Sequence, residues 1–409
     1  MRKPSPQIVI LLLVYLTGSL GSCSTGVGKP KIRCKEAERR ALLKIKEDLQ
    51  EHAEDGVLSS WGREEEKREC CEWIGIRCGN KSGQVVTLDL SPSTFARYDL
   101  WSLEGNISSS LVDLQYLKYL DLSGIFLYGN SIPSFIGTLS KLRYLNLSRT
   151  FLRGEIPPQL GNLSSLRFLD LSRNNYQKIN IKNFKWVQHL SSLRLLDLSH
   201  TNMSLAKDWV HVVNNLPHLI KLNLSGCDLP DIVPQSSHSL VNSSKVLAIL
   251  DLSLKPLSAS VFQWLYNYSH TLVHLDLYGC KLECPLPIYL KNMAALTYLD
   301  LSHNEIKGSI PQYIRNMTAI AYLALGSNHL EGSIPEAFGL NKSSLEYLDL
   351  SYNKLEGKIP KSFWKICTLR NLLASNNSFS GGFQLVESAS KCGNFSLEYV
   401  DLGNNRIMG

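Results

Sequence analysis

The sequence lacks the features that mark a nucleic-acid-binding protein or a disordered chain. Its 409 residues have a formal net charge of only +7, from 43 basic and 36 acidic residues scattered along the chain. So small a surplus does not predict the concentrated positive surface that binds nucleic acid. Apolar residues make up 44% of the composition, which excludes disorder and supplies side chains for a core.

Apolar runs of membrane-spanning length are also missing. The one strongly apolar stretch, from Ile8 to Leu16, follows Arg2 and Lys3 and precedes small residues. It is shorter than the roughly 20 residues that a membrane span needs. The order of a basic, an apolar and a small-residue region is that of a secretory signal peptide. We therefore predict a signal peptide over residues 1–23 and disulfide formation in the exported chain.

Glycosylation sequons agree with export. Twelve Asn-x-Ser/Thr sites are present, more than the composition predicts by chance, and we expect them to accept N-linked glycans. They are Asn80, Asn106, Asn146, Asn162, Asn202, Asn223, Asn242, Asn267, Asn316, Asn341, Asn376 and Asn394.

One repeated segment, L-x-x-L-x-L-S-x-N, fills residues 80–409. Its second Leu, the anchor, recurs thirteen times at spacings of 24 to 32 residues, and a period of this kind is typical of a solenoid. The anchors are Leu88, Leu120, Leu145, Leu169, Leu196, Leu222, Leu250, Leu275, Leu299, Leu323, Leu348, Leu372 and Val400. Alternation of Leu with polar residues predicts half-buried strands that stack in parallel, giving an α/β solenoid with a concave sheet. We expect a leucine-rich-repeat horseshoe of about thirteen repeats.

Other positions of the repeat have separate roles. The Asn five residues after the anchor is expected to point inward and to bridge backbone groups of adjacent coils. It is present at Asn174, Asn304, Asn328, Asn353, Asn377 and Asn405, and Cys227 and Cys280 replace it twice. Segments such as Gly308–Pro311 predict a second short strand on the flank of each coil. The irregular stretch around Trp209–Val213 predicts short helices on the opposite side.

The segment from residue 31 to 79 differs from the repeats and is expected to cap the first coil. Glu36 to Gln50 has the apolar period of an amphipathic helix. Four cysteines surround it, and their spacing favours the pairs Cys34–Cys70 and Cys71–Cys78, although three pairings are possible. A zinc site from these cysteines is disfavoured because no suitable histidines accompany them.

Three further cysteines allow alternatives. Cys284 replaces the Gly of L-x-G and is either a free thiol or a partner of Cys280. Cys367 and Cys392 occupy similar flank positions in consecutive repeats, and we predict a disulfide between them.

Catalytic signatures are absent. Histidines lie in separate repeats, without a nucleophile, base and orienting group in order and without an H-E-x-x-H motif. An Asp follows the anchor in nine repeats, where it predicts a solvated, hydrogen-bonded ladder and not paired catalytic carboxylates. We expect no enzymatic activity, no cofactor and no metal.

Binding is the function that the repeat favours. The residue before the anchor points to the concave face, and it is aromatic at Tyr119, Tyr144, Phe168, Tyr298, Tyr322, Tyr347 and Tyr399. Such a stripe is either a peptide-binding surface or lateral packing between coils. Variable residues four after the anchor are further candidates. They are Arg149, Arg173, His200, His303 and Tyr352. Arg149 with Arg173 is either a binding patch for an acidic ligand or ordinary solvated surface, and the second interpretation is favoured. A glycan on Asn146 or Asn223 would block this face.

The cap motif and the G-x-I-P repeats together resemble a known plant family. ERRALLKIKEDL, LSSW, CCEWIGIRC and GQVVTLDL resemble the plant-type leucine-rich-repeat N-terminal domain. With the irregular central repeats, the chain is similar to plant receptor-like proteins of the ethylene-inducing-xylanase and apple-scab-resistance type. The resemblance implies an extracellular sensor of a protein or peptide ligand in defence, signalling through partner receptor kinases from the plasma membrane.

The resemblance also implies what would follow Gly409. Receptors of this family continue with more repeats, a terminal cap, a transmembrane helix and a short tail, so we expect this chain to be truncated and its membrane anchor to lie in the missing part. The alternative function is a secreted inhibitor of a microbial wall-degrading enzyme, similar to polygalacturonase inhibitors. About thirteen repeats exceed the roughly ten of those inhibitors, which favours the receptor.

Overall fold

The computed structural model describes residues 33–52, 56–92, 103–174, 178–232, 245–339, 344–382 and 397–408. The predicted signal peptide therefore lies outside the described residues, as do Cys392 and the sequons Asn242, Asn341 and Asn394. No helix among the described residues has the length and apolar character that crossing a membrane requires.

A 14-stranded sheet runs through the repeat array. Its first strand comes from the cap, β2 (Ile76–Cys78), which pairs antiparallel with β3 (Val85–Asp89). The remaining strands follow β3 in parallel. They are β5 (Tyr119–Asp121), β6 (Tyr144–Asn146), β8 (Phe168–Asp170), β10 (Leu195–Asp197), β11 (Lys221–Asn223), β12 (Ile249–Asp251), β13 (His274–Asp276), β14 (Tyr298–Asp300), β16 (Tyr322–Ala324), β18 (Tyr347–Asp349), β20 (Asn371–Leu373) and β22 (Tyr399–Asp401).

Each of the thirteen predicted anchors lies in one of these parallel strands, and neighbouring anchors are register partners, as Leu120 is with Leu145. The leucine-rich-repeat fold is thereby confirmed. The anchors face a continuous core of buried Leu and Ile side chains, with Leu120, Leu145 and Leu169 all at 0% exposure. Burying one Leu side chain stabilises the fold by about 2 kcal/mol, so the repeated motif supplies the driving force for stacking.

Short flank strands end at or next to the glycine of the G-x-I-P segments, or at the corresponding place in other repeats. β15 (Lys307–Gly308), β17 (His329–Ser333), β19 (Lys354–Gly357), β21 (Ser378–Gly382) and β23 (Arg406–Met408) form a parallel five-stranded sheet, while β7 (Gly154–Glu155) pairs with β9 (Ile179–Asn180). The glycine in this motif has a left-handed backbone, with φ of 81° at both Gly154 and Gly308. Other side chains adopt that conformation only with strain, which explains the choice of glycine.

Helices cover the side of the coils opposite the long sheet. Most are single 3-10 turns such as Pro158–Asn162 and Gln312–Asn316. In the irregular central repeats, two α-helices replace them, α2 (Trp209–Asn214) and α3 (Ser260–Leu265). The first is the helix that the Trp209–Val213 stretch predicted.

The cap forms around α1 (Glu36–Glu47), which buries Ala41, Leu42 and Ile45. The predicted helix continued to residue 50, but the chain leaves it at Asp48. Residues beyond it form β1 (Leu49–Glu51), which pairs antiparallel with β4 (Leu103–Gly105).

Two disulfides close the cap, Cys34–Cys70 and Cys71–Cys78, and these are the pairs that the spacing favoured. The buried carboxylate of Glu38 accepts a hydrogen bond from the backbone nitrogen of Val85 at 2.9 Å. The cap helix is thus hydrogen-bonded directly to β3, the first strand of the repeat array. Burial raises the pKa of this carboxyl.

Asn side chains join one coil to the next, as the sequence predicted. Asn174 donates from Nδ2 to the backbone oxygens of Leu147 and Leu171, each at 3.0 Å, and its Oδ1 accepts from the nitrogen of Thr150 at 2.9 Å. Where Cys227 takes this place, its thiol donates to the oxygen of Leu198 at 3.1 Å. The thiol therefore keeps one of the inter-coil bonds that the amide makes.

Candidate functional site

The aromatic residues before the anchors form two separate stacks on the solvent face of the long sheet. In the first, Tyr119, Tyr144 and Phe168 lie with ring centroids 4.0 and 4.1 Å apart and planes within 11°. The second begins with His274, and Tyr298, Tyr322 and Tyr347 follow at centroid distances of 4.0 to 4.3 Å. Leu195, Lys221 and Ile249 occupy the same position between the stacks.

Such close parallel stacking means that each ring covers the face of its neighbour. The inner rings of each stack leave their edges uncovered. The hydroxyls of Tyr119 and Tyr144 donate to Asp121 Oδ2 at 3.4 and 3.1 Å. The lateral packing that the sequence allowed is therefore present. Tyr399 lies opposite Asn371 in the preceding strand and is 52% exposed.

The Asp after each anchor closes a turn. Asp170 Oδ1, for example, accepts from the backbone nitrogen of Ser172 at 2.9 Å, and Asp197 does the same for Ser199 at 3.0 Å. These carboxylates are hydrogen-bonded as expected, but the expectation that they are solvated is wrong for Asp121 and Asp300, which are 3% and 0% exposed. The other aspartates of this set that close the same turn, such as Asp170 and Asp197, are partly exposed.

Burial raises the pKa of two of these carboxyls that lie in coils of the first stack, Asp121 and Asp170. Desolvation, together with the charge of Asp197, raises the pKa of Asp170 to about 7. Asp121 also has a raised pKa because it is buried, although its Oδ2 accepts from Tyr144 Oη and Asn146 Nδ2, both at 3.1 Å.

The candidate residues four after the anchor share a left-handed backbone. Their φ angles are 57° at Arg149, 58° at Arg173, 65° at His200, 56° at His303 and 53° at Tyr352. Residues other than Gly and Asn rarely adopt this region, so the position is held by the turn that the preceding Asp closes. The turn directs these side chains to the end of the strands.

Arg149 and Arg173 meet in one polar groove of about 360 Å³. Asp170 and Asp197 also line it, together with the serines and small residues of the turns, which are Ser123, Gly124, Ser148, Ser172 and Pro92. The groove thus combines two guanidinium groups with two carboxylates, one of which has a pKa near neutrality. This arrangement is suited to binding a polar or charged group.

Other candidate residues lie outside this groove. His200 packs over Gly226, where a Cβ would be only 2.5 Å from His200 Nδ1, and burial and the charge of Arg173 lower the pKa of its ring. His303 contacts the ring of Tyr278, and Tyr352 is 61% exposed. Both belong to later coils, as do Tyr298, Tyr322 and Tyr347.

Two sequons fall within the sheet face and are hydrogen-bonded. Asn146 Oδ1 accepts from Ser148 at 3.0 Å, and Asn223 Nδ2 donates to Asp197 at 2.8 Å. Other sequons are fully exposed, namely Asn80, Asn106, Asn162, Asn267 and Asn316, while Asn202 and Asn376 are half-buried. Glycan occupancy at all of them remains a prediction.

The structure places the cysteines of the cap and of the array in different states. Cys34, Cys70 and Cys71 lie close together, but two disulfides account for their proximity. Cys227, Cys280 and Cys284 are free thiols, so the pairing of Cys280 with Cys284 is wrong. Cys367 is disulfide-bonded. Because Cys392 lies outside the described residues, the pair Cys367–Cys392 stays a prediction.

Sequence reasoning missed four basic residues that lie two positions before the anchors of β5, β6, β8 and β10. They are Lys118, Arg143, Arg167 and Arg194. Only the alignment of repeats brings them together, since 24 to 27 residues separate consecutive members.

The stacked parallel strands, the Asn column and the capped first coil define a leucine-rich-repeat protein. Family models agree: the leucine rich repeat N-terminal domain matches residues 35–79, and the leucine rich repeat matches residues 141–163, 295–317 and 344–366.

Within this class, the chain is homologous to plant receptor-like proteins. It is 37% identical to tomato (Solanum lycopersicum) receptor-like protein EIX1 over 265 residues, 62% of this chain and 25% of that protein. Receptor-like protein EIX2 of tomato is 40% identical over 280 residues, 67% of this chain and 26% of that protein. The chain thus spans about a quarter of the length of these relatives.

Solved plant receptor ectodomains share the fold. The leucine-rich-repeat ectodomain of the Arabidopsis receptor kinase HAESA, solved in complex with an extended IDA peptide hormone, is 27% identical, with a TM-score of 0.62 over 90% of this chain and 65% of that one. A TDR receptor structure is 26% identical, with a TM-score of 0.64 over 80% of this chain and 52% of that one.

Proposed function

We propose that this chain is the ligand-sensing extracellular region of a cell-surface receptor-like protein in plant defence. It binds a protein or peptide ligand on the solvent face of the long sheet and signals through partner receptor kinases. The observation that supports this most is the polar groove of Arg149, Arg173, Asp170 and Asp197 on a repeat array homologous to receptor-like proteins.

Membrane residence and export belong to the same proposal. The predicted signal peptide directs the chain into the secretory pathway, and the array faces the apoplast. Anchoring in the plasma membrane is assigned to a segment after Gly409. The HAESA ectodomain, which shares the fold, was solved with a peptide hormone, and this supports a peptide or protein as the ligand class.

Sequencing the transcript beyond the codon for Gly409 tests the receptor directly. We expect further repeats followed by about 20 apolar residues that form a transmembrane helix. A cysteine-bearing cap followed at once by a stop codon would instead support the secreted inhibitor.

A functional assay in leaves complements the sequencing of the transcript. The full-length protein is expressed in leaves that lack it, and the oxidative burst is recorded after challenge with microbial culture filtrates, with and without silencing of partner receptor kinases. We expect a burst that needs both the protein and the kinases. Stoichiometric inhibition of a fungal polygalacturonase by the purified protein, with no burst, would refute the receptor role.

A further inference from the structure

The four basic residues before the strands form a continuous column along one edge of the sheet. The backbone nitrogen of Arg143 donates to the oxygen of Lys118 at 2.8 Å, and the same bond joins Arg167 to Arg143 and Arg194 to Arg167. These bonds place the four residues on successive coils, at the spacing of about 4.8 Å between neighbouring strands. We call this set, Lys118, Arg143, Arg167 and Arg194, the entry column.

A second pair of cations lies at the other end of the same strands. Arg149 and Arg173 follow β6 and β8, and we call them the exit pair. Six residues separate Arg143 from Arg149, so the two sets are at most about 20 Å apart. The first aromatic stack and the aspartates that follow the anchors lie between them. The sheet here is therefore a strip with positive charge on both borders.

Five of these cations, Lys118, Arg143, Arg149, Arg167 and Arg173, do not serve as structural ion pairs within the described part of the chain. No described carboxylate lies within 4.0 Å of the side-chain nitrogens of Lys118, Arg143, Arg149, Arg167 or Arg173, whereas the described ion pairs join other basic residues. Arg370, which holds the entry-column position in β20's coil, pairs with Glu398 at 3.4 Å. The guanidinium groups of Arg143 and Arg167 on one side, and of Arg149 and Arg173 on the other, are therefore suited to bidentate binding of carboxylates.

Carboxylates between the two sets oppose an acidic ligand only weakly. Asp121 is buried and accepts bonds from Ser123, Tyr144 and Asn146. β6 has Asn146 in place of the Asp. The remaining carboxylate of these three strands, Asp170, is half-buried and bonded to its own turn. Asp197 of β10 likewise accepts from Ser199 and Asn223. The strip is therefore positive at its borders, and the carboxylates along its centre are hydrogen-bonded to protein groups.

The stacking of the rings disfavours an acidic polysaccharide as the ligand. Sugar rings bind proteins by lying on exposed aromatic faces, and here Tyr144 has both faces covered by Tyr119 and Phe168. The ring edges form a narrow floor that an extended polypeptide can cross. This favours an acidic peptide segment over an acidic polysaccharide.

We propose that the strip between the entry column and the exit pair binds an extended acidic segment of the protein ligand, whose carboxylates pair with the arginines on both sides. The later coils offer no equivalent, because the entry position there holds Val273, Thr297, Ala321 and Glu346 before Arg370. This inference deepens the proposed function by giving the ligand a charge and a location.

Binding of a synthetic acidic peptide of alternating Glu and Ser tests the strip, with the secreted full chain and fluorescence anisotropy. We expect R143Q/R167Q and R149Q/R173Q each to weaken binding about tenfold, since each removes two charged contacts. R370Q is the matched control, the same side chain at the same repeat position, and is expected to change binding less than about twofold. R149K/R173K keeps the charge but loses the bidentate geometry, so it should bind more weakly than the wild type and more tightly than R149Q/R173Q. About 0.5 M salt should abolish binding. Unchanged thermal unfolding confirms that each variant is folded.

Three results would overturn the proposal. The first is a loss with R370Q as large as with the double variants, or no loss with either double variant. A second is tighter binding of an oligogalacturonate than of the peptide with the same variant profile, which would assign the strip to an acidic polysaccharide. The third is a glycan on Asn146 in protein from plant cells, because it would cover the strip. The proposal thus requires an unmodified Asn146, whose amide is bonded to Asp121 and Ser148, against the expectation from the sequence. None of these decides the receptor role, which the transcript and the leaf assay test separately.

Discussion

Asn304 holds the backbone of the preceding coil at Cys280: its Oδ1 accepts from the Cys280 nitrogen at 3.0 Å, and from that of Leu282 at the same distance. Its Nδ2 donates to the oxygens of Leu277 and Leu301, both at 2.9 Å. One buried amide thereby satisfies four backbone groups in two coils, groups that water cannot reach.

Replacing this amide should be strongly destabilising. We expect Asn304→Ala to lower the free energy of unfolding by about 3 kcal/mol, because several buried backbone groups lose their partners. Gln312→Ala, an exposed amide lost from the adjacent 3-10 turn, should change it by less than about 0.5 kcal/mol. Chemical denaturation of both variants measures the difference, and equal midpoints would contradict this role for Asn304.

The residues four positions after the anchors have a left-handed backbone, and we make a second stability prediction for one of them. Leu254 has φ of 72° and is 47% exposed. Asn tolerates this conformation and occupies the same position at Asn376 and Asn404. Leu254→Asn should therefore stabilise the protein by about 0.5 to 1 kcal/mol, while the β-branched Leu254→Val should destabilise it by about 1 kcal/mol. Thermal unfolding checks both signs. Leu205→Asn, at an exposed Leu without a positive φ, should give no gain.

Asp170 makes stability depend on pH. Its pKa of about 7 lies above the unfolded value of about 3.9, so the folded state holds a proton that the unfolded state releases. The resulting stability is fully present below about pH 4 and is lost as pH rises through 7. Melting temperatures between pH 5 and 8 should therefore fall more steeply for the wild type than for Asp170→Asn. Asp113→Asn, at an exposed carboxylate, should keep the wild-type slope.

The three free cysteines should differ in the rate at which an alkylating reagent modifies them. Burial raises the pKa of Cys227 to about 11 and that of Cys280 to about 12, so neither forms much thiolate near pH 8. Cys284 is only half-buried, and iodoacetamide should label it first in the folded protein. Mass spectrometry after brief labelling tests this, with labelling in denaturant as the control. Preferential modification of Cys227 would show that the core opens more readily than its packing indicates.

The sequence predicted the parts of this fold that repeat within each coil. All thirteen anchors, the inward Asn column and the flank strands follow from a local pattern, because each coil buries the same positions against its neighbours. The end of α1 was misplaced because Leu49, apolar in the helical period, is buried in β1 and not in the helix.

The candidate site was harder to predict because it depends on neighbours in space. Arg149 and Arg173 were recognised from their repeat position, but Lys118, Arg143 and Arg167 were not, since a net charge spread along the chain conceals a column that forms only on stacking. The mutual covering of Tyr119, Tyr144 and Phe168 likewise depends on ring orientation, which the repeat does not encode.

Strand pairing also bears on how such a chain changes over generations. Leu222 and Leu250 are register partners, as are Leu250 and Leu275, although 28 and 25 residues separate them. If the whole coil that contains Leu250 were lost, Leu222 and Leu275 would become register partners in the same alignment, and no new sheet edge would be exposed. Recombination between repeats can therefore bring Lys221 next to His274, or move the two aromatic stacks closer, while the leucine interior stays closed.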